Sequence, residues 1–283
     1  MKAHPLHSLR KLRLFRILSR SFDPMLPRRL PALAHPIYLR LLSHGSQIFH
    51  APEREGAIRQ TFETVLQALP REGGQAFWDV GANIGWFSWR CATVRPDLEI
   101  VSFEPDAKNL QCLRRATRRW RLDRHTIVPC AVAERSGRAT FFVDDIAGAT
   151  GSLEKSQSFN FYHYGHRAPE IEVETISLDD FLDRGGAPPS LIKIDVEGAE
   201  LRTLQGGAGL LRDPRPILFY ESFNHRAEIL ALLKDYGYIV FESDRYRAIV
   251  PETTNFVALP NDCAPAVISA LTALGYPIPS RRG

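Results

Sequence analysis

Apolar positions along this chain switch between the continuous runs of buried strands and the three-to-four spacing of amphipathic helices. The run Ala76-Phe-Trp-Asp-Val80 predicts a strand, 84–94 a helix and 98–103 a second strand. A helix opening near Asp106, a capping residue, would bury Leu110, Leu113 and Trp120. Residues 126–132 read as a third strand. After the Ser136-Gly137 turn, 138–143 and 171–178 read as two more, with a short helix over 179–182. The strand Leu191-Ile-Lys-Ile-Asp195 leads into a helix running to Leu211, then comes a strand over 216–220 and a helix over 227–236. Strands at 238–241 and 255–259 are expected as a terminal antiparallel hairpin, followed by a helix over 265–274. This alternation predicts an α/β fold with a mostly parallel sheet covered by helices on both faces.

Upstream, Ile58, Phe62, Val65 and Leu69 fall at i, i+4, i+7 and i+11, the signature of one buried helical face. Residues 37–42 also read as helical, and the two stretches are expected to cover the cleft or the sheet edge. Pro24, Pro27, Pro31 and Pro36 mark a linker. The expected organisation is an N-terminal helical arm and linker over 1–50, a catalytic domain over 51–262 and a tail over 263–283.

Charge changes this picture at one end. The 283 residues carry a net +4, but residues 1–50 hold nine Lys or Arg against Asp23 alone, a net +8, which leaves 51–283 at −4. Within 9–20, Arg13, Arg16 and Arg20 share a helical stripe opposite Leu12, Phe15 and Leu18. Such a helix suits peripheral contact with an anionic membrane, an acidic partner or simple packing on the domain, and a mitochondrial presequence looks similar. Arginines without interleaved aromatics argue against nucleic acid. No run approaches the roughly 20 apolar residues of a membrane span. The four cysteines are scattered without a CxxC pair, which fits a reducing, cytoplasmic setting rather than a disulfide framework or zinc site.

The chemistry concentrates at strand ends, where open α/β sheets bind ligands. Asp79, Glu104, Asp195 with Glu197, and Glu221 all lie there. The turn Gly81-Ala-Asn83-Ile-Gly85 follows the first strand, and Glu104 follows the second, the arrangement that holds the ribose of a nucleoside cofactor. A dinucleotide turn needs a glycine where Asn83 stands, so a ligand without phosphates fits better. S-adenosylmethionine is such a ligand, with Glu104 accepting from its ribose hydroxyls. Lys193 and Asp195 share one face of a strand expected to be apolar, as an ion pair or as working groups.

The segments Asp79-Val-Gly-Ala-Asn-Ile-Gly85, Phe103-Glu-Pro105, Ile176-Ser-Leu-Asp-Asp180 and Leu191-Ile-Lys-Ile-Asp-Val-Glu-Gly-Ala-Glu200 resemble the FkbM-type methyltransferases, over about 77–259. The resemblance implies a Rossmann-like sheet of seven strands and an S-adenosylmethionine cofactor. It implies methyl transfer, usually to oxygen, on a saccharide, glycan or natural product. It also places Pro129-Cys130-Ala131 near the adenine and Gly151-Ser152 over the cleft. The expected cofactor residues are Asp79, Gly81, Asn83, Gly85, Glu104, Pro105, Ala131 and Asp195. The candidates for a general base are Asp195, Glu197, Glu221 and His225. Asp195 and Glu197 offer oxygen ligands to a divalent metal, but the sequence shows no complete set. The competing readings are a non-catalytic methyltransferase-like module docking through its basic arm, and, more remotely, an NAD-dependent oxidoreductase. Tyr162, His163, Tyr164 and His166 in the long loop would either stack on a sugar or fold onto the sheet.

Overall fold

A computed structural model describes residues 22–30, 33–44, 56–71, 75–144, 148, 150–155, 168–243 and 249–278. The elements in chain order are β1 (Met25–Arg28), β2 (Ile37–Arg40), α1 (Gly56–Ala68), β3 (Ala76–Val80), α2 (Trp86–Val94), β4 (Glu99–Phe103), α3 (Ala107–Trp120), β5 (His125–Val128), β6 (Ala131–Val132), β7 (Gly137–Phe142), β8 (Glu170–Ile176) and α4 (Leu178–Asp183). They continue as β9 (Pro189–Ile194), α5 (Glu200–Gln205), α6 (Ala208–Arg212), β10 (Ile217–Glu221), α7 (Arg226–Asp235), β11 (Tyr238–Glu242), β12 (Asn255–Pro260) and α8 (Pro265–Ala273). The main sheet has seven strands in the order β11-β12-β10-β9-β3-β4-β5, with β12 alone antiparallel to both its neighbours. The expected Rossmann-like α/β architecture and terminal hairpin are present.

The central strands are apolar on both faces because both are covered. Phe77, Leu191, Phe219 and Val257 join Phe62 of α1, Trp89 of α2, and Val267 and Leu271 of α8 on one side. Trp78, Val80, Ile192, Ile194 and Leu218 pack with α4 to α7 on the other. Phe62 is fully buried and meets Phe77, Phe87 and Phe219 edge to face, with ring centroids 5.0–5.6 Å apart. Such a side chain contributes roughly 1.5–3 kcal/mol by burial. The face predicted from Ile58, Phe62, Val65 and Leu69 is buried as expected. The segment 263–283, read as a tail, supplies α8, which packs against α1; the Thr61 and Tyr276 hydroxyls meet at 3.0 Å. Arg95 closes the C-terminal end of α1. Its guanidinium donates to the carbonyls of Leu66, Leu69 and Pro70 at 2.8–3.2 Å and forks onto Asp97.

Three expectations change. Residues 37–42, read as helical, contain strand β2, paired antiparallel with β1 in a separate ribbon. The prolines that suggested a linker are compatible with this ribbon, since Pro27 on an edge strand costs no ladder bond. The strand expected over 126–132 divides at Pro129. There β5 ends the main sheet, and β6 pairs with β8 in a second sheet of order β6-β8-β7. The helix expected to run unbroken to Leu211 divides at Gly206-Gly207 into α5 and α6. The stripe over 9–20 and the aromatic and histidine cluster 162–166 lie outside the described residues.

Candidate functional site

A cleft of about 590 Å3, open to solvent, lies beyond the carboxyl ends of β3, β4 and β9. Gly81, Asn83, Glu104, Pro105, Ala131, Asp195 and Glu197 all line it, so most of the residues singled out by sequence converge there.

The β3 turn is held by backbone. The Gly81 and Ala82 N–H groups donate to the Phe103 carbonyl at 3.1 and 3.0 Å, and Asp195 N–H donates to the Val80 carbonyl at 3.0 Å. Gly81 has φ +77°, and a Cβ there would lie 1.9 Å from the Asp195 carbonyl oxygen. A neighbouring strand therefore demands this glycine, independently of any ligand. Asn83, also left-handed at φ +52°, donates its backbone N–H to Glu104 Oε2 at 2.8 Å. Its side-chain amide donates to the Gly148 carbonyl at 2.9 Å, tying the turn to the long loop.

Glu104 sits between these elements, only 5% exposed. Its Oε1 accepts from Asp106 N–H at 2.8 Å and from Asn109 Nδ2 at 3.4 Å. Burial, with the nearby Asp106 charge, still pushes its pKa up to about 8. A buried carboxylate with this raised pKa is stabilised by further donors, and the vicinal hydroxyls of a ribose are donors of that kind.

Opposite lies the turn after β9. Glu197 takes a left-handed φ of +51°, uncommon for a side chain of its size, and Gly198 follows at +101°. The Ser152 hydroxyl donates to the Glu197 carbonyl at 2.6 Å, which ties Gly151-Ser152 to this turn. Burial and the charges of Asp195, Glu221, Glu200 and Asp144 hold the Glu197 carboxyl well above the usual range. Asp195 pairs with Lys193 Nζ at 3.3 Å. Burial works against the Lys193 charge, but Asp195, Glu221 and Asp79 overturn that, and its pKa ends raised.

The remaining candidates stand outside the lining. Asp79 turns its carboxylate into the first turn of α2, accepting from Ser88 N–H at 3.0 Å and from the Ser88 hydroxyl; burial pushes it up to about 6. Gly85, at φ +86°, is packed against Leu113 and Trp89. Glu221 ends β10 and acts on Glu197 and Lys193 by charge. His225 is half exposed at the start of α7, with Nδ1 3.3 Å from Glu228. Among the described residues no group of three or more His, Cys, Asp or Glu is placed to hold a metal. Sequence reasoning missed Asn109 and Asp144, both buried in the cleft wall. Asn109 carries no sequence signal beyond its helix phase, and Asp144 only its place before the long loop.

A family model described as "Methyltransferase FkbM domain" matches residues 79–240, more than half of the chain. The chain belongs to the FkbM methyltransferase family. Among curated relatives, 31-O-demethyl-FK506 methyltransferase FkbM of Streptomyces tacrolimicus is 29% identical over 72% of this chain and 90% of its own. The 2-O-methyltransferase NoeI of Sinorhizobium fredii is 31% identical over 48% of this chain and 59% of its own. Hexuronic acid methyltransferase AglP of Haloferax volcanii is 29% identical over 53% and 58%. A solved methyltransferase FkbM from Methylobacillus flagellatus KT is 23% identical, with a TM-score of 0.45, over 65% of this chain and 43% of that one. FkbM membership makes the chain a methyltransferase, and favours neither the oxidoreductase nor the non-catalytic module.

Proposed function

We propose that the protein transfers a methyl group from S-adenosylmethionine to a hydroxyl oxygen of a saccharide, glycan or natural product. The observation that carries this is the buried Glu104 carboxyl, set at the cleft between the Gly81–Asn83 turn and the Asp195–Glu197 turn. Glu104 would hold the ribose, Pro105 and Ala131 flank the base, and the Gly81 turn faces the amino-acid end. When bound, S-adenosylmethionine supplies an electrophilic methyl on a cationic sulfonium. The acidic side chains of Asp144 and Asp195 would face that cation in the cleft. The acceptor class follows the FkbM relatives, whose names specify O-methylation of FK506, a 2-O-methylation and a hexuronic acid.

Displacement at a methyl group asks the protein mainly for alignment, which can supply about 7–11 kcal/mol. A hydroxyl acceptor also loses a proton. Glu197, whose carboxyl burial and neighbouring acids hold well above the usual range, has the basicity to take it. Asp195, paired with Lys193 Nζ at 3.3 Å, would orient the acceptor beside it. Glu221 would support Glu197 electrostatically, and His225 lies too far into solvent to share the step.

The proposal extends to a methyltransferase domain over 51–262, on which α8 packs, in a cytoplasmic protein. It also includes peripheral contact of the basic residues 9–20 with an anionic membrane surface. The exposed Arg114, Arg115, Arg118 and Arg119 on α3 would add to such contact. Among the described residues no helix is long and apolar enough to cross a membrane.

Saturating S-adenosylhomocysteine should raise the melting temperature, and Glu104→Ala should remove the rise. A wild-type protein whose melting temperature ignores the ligand would refute the cofactor. Extracts supplied with labelled S-adenosylmethionine, followed by mass analysis, would identify the acceptor; label appearing on nitrogen rather than oxygen would refute the chemistry.

A further inference from the structure

The FkbM match begins at residue 79, yet the ribbon far upstream reaches the cleft. Asp23 accepts from the N–H groups of Leu42 and Ser43 at 2.7 and 3.1 Å and from the Ser43 hydroxyl, which fixes the turn after β2. The ribbon is laid along α3 at three points. The Trp120 indole donates to the Pro36 carbonyl at 3.0 Å, Arg115 sits 5.5 Å over the Tyr38 ring, and Arg40 donates to Gln111. That path delivers His44, fully buried, to the N-terminal end of α3.

The hydrogen bonds of His44 have one consistent direction. Arg40 N–H donates to Nδ1 at 2.9 Å, so Nδ1 carries no proton. The neutral ring, favoured by burial that lowers the His44 pKa, must then carry its proton on Nε2. Nε2 therefore donates to Asn109 Oδ1 at 3.0 Å. This fixes the Asn109 amide with its NH2 toward Glu104 Oε1 at 3.4 Å and the Gly148 carbonyl at 3.3 Å. Without the histidine donor the amide is free to turn over, which would set its oxygen against Glu104 in the ionised form that ribose hydroxyls need. Gly148 itself rests on the ring: a Cβ there would lie 3.0 Å from His44 Nε2.

We propose that His44 is a positioning residue of the cofactor site, orienting Glu104 through Asn109 and seating Gly148 of the loop against the cleft. This rests on the cofactor reading above and extends the site to a segment outside the FkbM match. The action runs through the carboxylate that would meet the ribose, so its loss should be felt by ligands that carry ribose hydroxyls.

The test is calorimetric titration of the full chain with S-adenosylhomocysteine and with its 2′,3′-dideoxy analogue. His44→Phe should weaken S-adenosylhomocysteine binding about tenfold or more, and change binding of the dideoxy analogue by less than about twofold. His44→Gln should restore most of the affinity, because its amide oxygen can accept from Arg40 N–H while its NH2 donates to Asn109. Should His44→Phe not fold, Asn109→Ala cuts the same chain from the other side and should show the same selectivity. Undiminished affinity in these variants, or equal losses for both ligands, would overturn the proposal. Failure of the wild-type chain to bind either ligand would overturn the cofactor reading itself.

Discussion

Cofactor affinity should depend on pH through Glu104. Burial and the Asp106 charge push this carboxyl from an ordinary 4.5 up to about 8, against the pull of its three hydrogen-bond donors. In the ligand-free site Glu104 is therefore protonated through most of the neutral range. Ribose hydroxyls that donate to both oxygens need the ionised form, so binding expels a proton. Well below pH 8 each further pH unit then costs about 1.4 kcal/mol, or roughly tenfold in affinity. Calorimetry should show S-adenosylhomocysteine binding about fivefold weaker at pH 7 than at pH 8, and weaker by a further factor of about ten at pH 6, levelling off above pH 8. The heat should vary with buffer ionisation enthalpy as expected for one released proton. Stability of the ligand-free protein runs the opposite way. A raised folded pKa gives a contribution that is complete below 4.5 and is lost as pH climbs toward 8, up to a few kcal/mol. Glu104→Gln should flatten both profiles. A wild-type dissociation constant that stays level between pH 6 and 8.5 would refute the reasoning.

Gly81→Ala combines a left-handed backbone with a contact on the Asp195 carbonyl that no rotamer can relieve. It should cost about 2–5 kcal/mol in denaturant unfolding, and a wild-type midpoint would contradict the close approach. Arg95→Ala removes the guanidinium that donates to the Leu66, Leu69 and Pro70 carbonyls at the end of α1 and pairs with Asp97. A loss of about 3 kcal/mol is expected, and Arg95→Lys should recover little of it because an ammonium cannot fork; full rescue by Lys would refute the role given to the fork.

The central sheet was legible because its strands are continuous apolar runs, and α3 because Asp106 caps it and Leu110, Leu113 and Trp120 keep helical phase. Prolines misled at one end and were underused at another. Pro24 to Pro36 suggested a linker where an edge ribbon tolerates them, while Pro129 marked the departure of the chain from the main sheet. Much of the site was readable from acids at strand ends, which converge by the rule of the fold. Roles were less readable. Asp79 and Gly85 look like ligand contacts in sequence, yet the first anchors a helix turn and the second makes room for Leu113 and Trp89. His44 and Asn109 meet across 65 positions of chain, and no local spacing encodes a contact of that range.

The contact of Gly81 with the Asp195 carbonyl carries a wider consequence. The turn that would seat the methyl donor and the turn that bears Asp195 and Glu197 ride on adjacent strands, joined main chain to main chain. On the function proposed above, the spacing between donor and deprotonating group would thus be written into the sheet, where exchange of side chains scarcely alters it. Among the described residues, Gly148 and Ser152 are tied to these two turns by single side-chain hydrogen bonds rather than by the sheet. Substitutions in the segments around Gly148 and Ser152 can therefore accumulate without altering the register of the two turns.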